Sequence, residues 1–124
     1  MKIKNVKITV KETKAVLKEF ADFYEKAKRG EHVEPHHEVS FENLDTLKRT
    51  LTDKRLELIH VIKKHDPDSI YQLAKMVNRD LKSVNTDLQI LESSGLISLD
   101  SVKEGRHKVK PRVEFDKLNV EIAI

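Results

Sequence analysis

The stretch that decides the fold is Ser69–Ile97, SIYQLAKMVNRDLKSVNTDLQILESSGLI. Ser69 is suited to cap a helix, because its hydroxyl can accept from an orphan N–H of the first turn. Ile70, Leu73, Ala74 and Val77 recur at helical spacing and share one face. Asn78-Arg79-Asp80 breaks that pattern, and Asp80 can cap a second helix. There Leu81, Val84, Leu88 and Leu91 form the next stripe expected to be buried. Gly95 supplies left-handed backbone just past the helix end. Two short helices, a tight polar turn and small Ala74 at the crossing spell a helix-turn-helix, although a plain helical hairpin shares much of the pattern.

With Val84, Leu88 and Leu91 turned inward, Lys82, Thr86, Gln89 and Ser93 point out, flanked by Ser83 and Asn85. Asn and Gln can pair bidentately with adenine, Ser and Thr can donate or accept, and Lys can reach guanine or phosphate. Lys82, Ser83, Asn85, Thr86 and Gln89 are therefore the expected base readers. Asp87 and Glu92 offset Lys82, so bulk attraction to phosphate must come from elsewhere.

That source is Ser101–Arg112, SVKEGRHKVKPR. Gly105 marks a turn between two alternating runs, which together predict a hairpin with a cationic outer face. Lys103, Arg106, Lys108, Lys110 and Arg112, with Ser69 and Arg79, are the expected phosphate contacts. A hairpin straight after a recognition helix is the winged-helix arrangement, though lysines also line ordinary edge strands.

The 124 residues suffice for one compact domain with a terminal extension. Charged residues make up 36% and aromatic ones 5%, so the core must consist mostly of Leu, Ile and Val. The net charge of +3 is modest, but its positive side concentrates at the wing and the N-terminus. With no cysteine, a disulfide framework and a Cys-based zinc site are excluded. No apolar run approaches membrane-spanning length and the start lacks a signal-peptide core, so a cytoplasmic protein without membrane contact is expected.

Upstream, Lys2–Lys11 alternates Val6, Ile8 and Val10 with Lys7, Thr9 and Lys11, which predicts a strand with one cationic face. Glu12–Arg29 is an amphipathic helix, stopped by Gly30, that carries Phe20, Phe23 and Tyr24. A winged helix does not need it, so it is expected either to dimerise the protein or to cap the core. Glu31–Val39 is the expected linker. Its three histidines, His32, His36 and His37, fit no zinc spacing, and no metal is expected. Ser40 is expected to cap a helix over Phe41–Leu51, with Phe41, Leu44, Leu47 and Leu51 inward. Thr52 should cap a mostly buried helix over Asp53–Lys64. His65-Asp66, with no second His/Asp pair, reads as a turn. Leu118, Val120, Ile122 and Ile124 alternate to the end, and the expected partner of this strand is the N-terminal one, within one subunit or across a dimer.

The expected architecture is thus α+β, mainly α: a winged helix-turn-helix over 40–124, preceded over 1–39 by a strand, an amphipathic helix and a linker. Phe20, Phe23, Tyr24, Leu118, Val120 and Ile122 are the expected dimer contacts. Gly30 with Val33-Glu34-Pro35, Ser40-Phe41-Glu42, Leu51-Thr52 with Lys54-Arg55, Ser69-Ile70, Leu73-Ala74, Arg79-Asp80 with Val84, Asp87-Leu88, Leu91-Glu92, Gly95-Leu96-Ile97, Pro111 and Phe115-Asp116 give the chain a family likeness. It resembles archaeal and bacterial winged-helix DNA-binding proteins allied to MarR- and ArsR-type regulators. That group is similar to antitoxins paired with TumE-type toxins, and the resemblance implies an autorepressor that also binds a toxin protein.

The function expected is sequence-specific binding of double-stranded DNA by a homodimeric repressor, with an antitoxin as the alternative. A winged helix used only for protein contact would share the pattern. An enzyme is not expected. There are three glycines and no phosphate loop, no Cys nucleophile, and no Ser/His/acid set on a known scaffold. No cofactor is expected.

Overall fold

Val6, Ile8 and Val10 alternate with polar residues, and Asn5–Val10 forms strand β1 at the centre of a three-stranded sheet. The structure, a computed structural model, describes residues 5–11, 13–31 and 38–122, apart from the side chains of Thr13, Val16, Glu104 and Arg106. After β1 come helix α1 (Thr13–Lys28), strand β2 (Glu38–Phe41), and helices α2 (Leu44–Thr50), α3 (Asp53–His65), α4 (Ile70–Val77) and α5 (Leu81–Ser93). Strands β3 (Ser98–Glu104), β4 (Arg106–Arg112) and β5 (Lys117–Ile122) complete the order. The fold is α+β, with about half of the chain helical. Among the described residues no helix is long and apolar enough to cross a membrane.

Both neighbours of β1 run parallel to it, in the order β2-β1-β5. Parallel strands need long crossovers. The segment containing α1 joins β1 to β2, and the helices and the β3–β4 hairpin lie between β2 and β5. The expected pairing of first and last strands occurs within one chain, with Val6 opposite Leu118, Ile8 opposite Val120 and Val10 opposite Ile122.

β2 corrects the sequence reading at two points. Residues 38 and 39 are strand rather than linker, and Ser40 is not a helix cap but lies in β2 opposite Thr9. The cap of α2 is Asn43, whose Oδ1 accepts from the Thr46 N–H at 2.8 Å. Phe41 ended one period and began another. Val39 and Phe41 are buried at strand spacing, whereas only Leu47 of the short α2 is buried and Leu44 is exposed. The boundary expected between 39 and 40 falls inside β2. His32, His36, His37 and Val33-Glu34-Pro35 lie outside the described residues.

The far face of β1 is not simply cationic. Thr9 is fully buried, donates to Glu38 Oε1 at 2.7 Å and shares a 3.0 Å hydrogen bond with Ser40 Oγ. The Thr9 hydroxyl, with help from Lys11, holds the Glu38 carboxyl below its ordinary pKa. Lys11 bridges Glu38 at 3.2 Å and Glu19 of α1 at 2.6 Å, and the hydrogen bond to Glu19 is the main reason its ammonium pKa is raised. This clamp ties α1 to the sheet by charge. Its apolar stripe stays uncovered: Leu17, Phe20, Phe23 and Tyr24 are all exposed, so α1 does not cap the core.

The core is one cluster. Val6, Ile8, Val39 and Phe41 of the sheet join Leu58, Ile59 and Ile62 of α3, Leu73 and Ala74 of α4, and Val84, Leu88 and Leu91 of α5. Leu96, Ile97 and Phe115 close it.

Candidate nucleic-acid interface

Helices α4 and α5 begin and end where local chemistry dictates. The Ser69 hydroxyl accepts from the Gln72 N–H at 3.1 Å, which starts α4. Asn78, at φ 56° and ψ 48°, ends it in the left-handed region that Asn tolerates. The Asp80 carboxylate then accepts from the Ser83 N–H at 2.9 Å and starts α5. That backbone N–H is the largest cause holding the Asp80 carboxyl below its ordinary pKa. Ala74 is buried between the helices beside Leu73, Val84 and Leu88. Gly95, at φ +82°, turns the chain from α5 into β3.

An ion-pair knot missed in the sequence sits behind the turn. Asp87 Oδ1 accepts from Arg55 Nε at 3.0 Å, and Oδ2 accepts from Arg79 Nη2 at 2.8 Å. Arg55 Nη1 also donates to the carbonyls of Arg49 at 2.6 Å and Thr50 at 3.1 Å. One carboxylate thus joins the end of α2, the start of α3, the α4–α5 turn and α5 itself. The signal was present in the sequence. Asp87 falls on the stripe of Val84, Leu88 and Leu91, and Arg55 on that of Leu58, Ile59 and Ile62. Opposite charges on two inward stripes call for each other, since a buried charge must be paired. Arg79 Nη1 is buried with no acceptor among the described residues.

The hairpin follows as expected. β3 and β4 pair antiparallel, Glu104 opposite Arg106, around Gly105 at φ +76°. Its cations divide into two groups. Lys110 Nζ is 2.9 Å from Asp66 and 4.0 Å from Asp68, and it donates to the Pro67 carbonyl at 3.3 Å. That lysine pins β4 to the turn before α4. Arg112 pairs with Asp100 across the hairpin. Lys103 and Lys108 are exposed and carry no ion pair among the described residues. The side chain of Arg106 lies outside the described ones.

The seven expected phosphate contacts therefore do not form one set. Ser69 is half-buried as a cap, Arg79 faces Asp87, and Lys110 faces the α3–α4 turn rather than an open outer face. Lys103 and Lys108 have no ion pair among the described residues. The expected base readers come out largely together. Lys82, Asn85, Thr86 and Gln89 are exposed, and Ser83 is half-buried beside the cap. The Thr86 hydroxyl donates back to the Lys82 carbonyl at 3.0 Å, which leaves its lone pairs outward. Leu81, expected on the buried stripe, is 48% exposed. An open groove of about 760 Å³ unites Ser69 and Tyr71 of α4, Lys82 and Asn85 of α5, and Lys108 of β4.

A family model matches residues 50–120, from the end of α2 into β5. The chain belongs to the HVO_A0114 family. The HVO_A0114 match takes in both helices of the groove, the hairpin and all three members of the Asp87 knot. β1, α1 and β2 lie outside it. No curated protein matches the chain.

Of the expected dimer contacts, Phe20, Phe23, Tyr24, Val120 and Ile122 are exposed, whereas Leu118 is half-buried against the core. None of the α1 residues falls in the HVO_A0114 segment.

Proposed function

We propose that this protein is a winged-helix regulator, a repressor, that binds double-stranded DNA with α5 in the major groove and the β3–β4 hairpin as the wing. One observation carries the reading. α5 presents an exposed, almost uncharged hydrogen-bonding face, and Lys108 of the hairpin, with no ion pair among the described residues, lines the groove beside it. Short amides and hydroxyls suit base edges, while lysines suit phosphate. The division matches the two tasks a sequence-specific binder must perform.

The functional unit in this reading is a homodimer, and the second copy seats on α1. Leu17, Phe20, Phe23 and Tyr24 are bulky, exposed and unpartnered among the described residues. Charges of both signs flank them: Lys18, Glu19, Asp22, Glu25 and Lys26. A two-fold dimer reads a palindromic site. The same open stripe supports a second reading, an antitoxin whose α1 seats a toxin protein and whose α5 regulates its own operon.

The test is enrichment from a randomised duplex library, followed by titration against salt. The reading expects an enriched motif and a logarithmic affinity that falls linearly with logarithmic salt, by about 0.9 per phosphate neutralised. No enrichment, or affinity independent of salt, would remove it.

A further inference from the structure

We infer that Leu81, with Tyr71 beside it, reads the 5-methyl group of a thymine. This rests on the DNA-binding reading of α5 and names part of the sequence it selects.

The observation is an apolar side chain in an unlikely place. Leu88 and Leu91 of α5 are fully buried, and Val84 is the first residue of the stripe to be covered. Leu81, one turn earlier, is 48% exposed and lines the groove. Ile70, Tyr71 and Val109 line it too, so the mouth is apolar at its centre. Tyr71 is 59% exposed, and its ring carries Lys75 Nζ 4.5 Å from the centroid. Around this apolar centre stand Lys82, Asn85 and Lys108.

The lysines favour a polyanion over an apolar protein surface as the occupant. Phosphates offer Leu81 nothing, and neither do the polar edges of guanine, cytosine or adenine. The major-groove edges of the bases present one apolar group, the thymine methyl. Its partner reader is on the same face. Asn85 lies one helical turn beyond Leu81, about 6 Å along the axis. That distance is under two base-pair steps of about 3.4 Å. An amide at Asn85 suits adenine. The half-site therefore holds a thymine within two base pairs of an adenine, the first read by Leu81 and the second by Asn85.

The experiment uses the full chain and duplexes enriched from a randomised library. Each thymine of the enriched motif is replaced in turn by deoxyuridine, which removes the methyl and nothing else. One thymine in each half-site should respond, with affinity falling about fourfold, the factor for burying one methyl-sized apolar group. Leu81→Ala should bind the thymine and deoxyuridine duplexes equally, and Leu81→Met should keep the discrimination. Because Leu81 is exposed and Ala favours helix, the Ala variant should fold. If no thymine responds in the wild type, or if Leu81→Ala discriminates as the wild type does, the inference is overturned while DNA binding stands. If no duplex is enriched at all, the DNA-binding reading itself fails and this inference falls with it.

Discussion

Single side chains hold α5 in place, and Asp87 joins the most elements. It holds Arg55 and Arg79, and all three side chains are mostly buried. Truncating it leaves two guanidinium groups with reduced pairing inside the fold. Asp87→Ala should therefore destabilise by about 1.5–3 kcal/mol, the range for hydrogen bonds to charged groups, read as a lower urea midpoint. A midpoint equal to wild type would mean the knot contributes no net stability. Asp80 makes a pH prediction. Its folded pKa lies below the ordinary value of 3.8, because the ionised carboxylate caps α5. A lowered folded pKa contributes stability above the unfolded value that is lost as pH falls below it. Wild type should lose stability more steeply than Asp80→Asn as pH drops from about 4 to 3, a range set by ordinary carboxylates. Parallel losses in urea titrations would show that the cap is not ionised.

At the scale of elements, the hairpin separates two jobs that its composition blurs. Lys108 is exposed and has no ion pair among the described residues, so Lys108→Ala should reduce the salt slope of duplex binding by roughly one unit and leave stability unchanged. Lys110 faces Asp66 and Asp68 and is nearly buried, so Lys110→Ala should lower the thermal midpoint and leave the slope alone. The reverse pattern would place Lys110, not Lys108, on phosphate. The same contrast marks what the sequence could tell. α4, its turn, α5 and the hairpin were legible because their caps, stripes and glycines are local signals: Ser69, Asp80, Gly95 and Gly105 each act within a few residues. The partner of β1 was legible because an apolar terminal strand requires one. β2 was not, because Val39, Phe41, Leu44 and Leu47 satisfy strand and helix periods in turn. Nor was the allotment of cations. Whether Arg79 or Lys110 faces solvent depends on Asp87 and Asp66, and no local pattern links those pairs. Leu81 fits the stripe on paper, yet it projects past the surface that covers Val84.

For the whole molecule, the question is what covers α1. Its periodicity announces an apolar face without naming the occupant, and among the described residues nothing covers Leu17, Phe20, Phe23 and Tyr24. Removing α1 together with β1 would be a poor test, because β1 is the central strand and Ile8 is fully buried. Replacing Phe20, Phe23 and Tyr24 with Ser leaves the sheet in place. The wild type should sediment as a dimer and that variant as a folded monomer; an unchanged dimer would move the interface elsewhere, and a monomeric wild type would remove it. The family match runs from the last residue of α2 into β5 and leaves out α1. The central claim is that the almost uncharged face of α5 selects sequence while the lysines of the hairpin supply affinity. The direct measurement compares an enriched duplex with its scrambled counterpart for wild type, Asn85→Ala and Gln89→Ala. A good bidentate pair contributes about 1–3 kcal/mol of discrimination. Each variant should therefore lose about tenfold on the enriched duplex and keep its affinity for the scrambled one, whereas parallel losses on both would contradict the account.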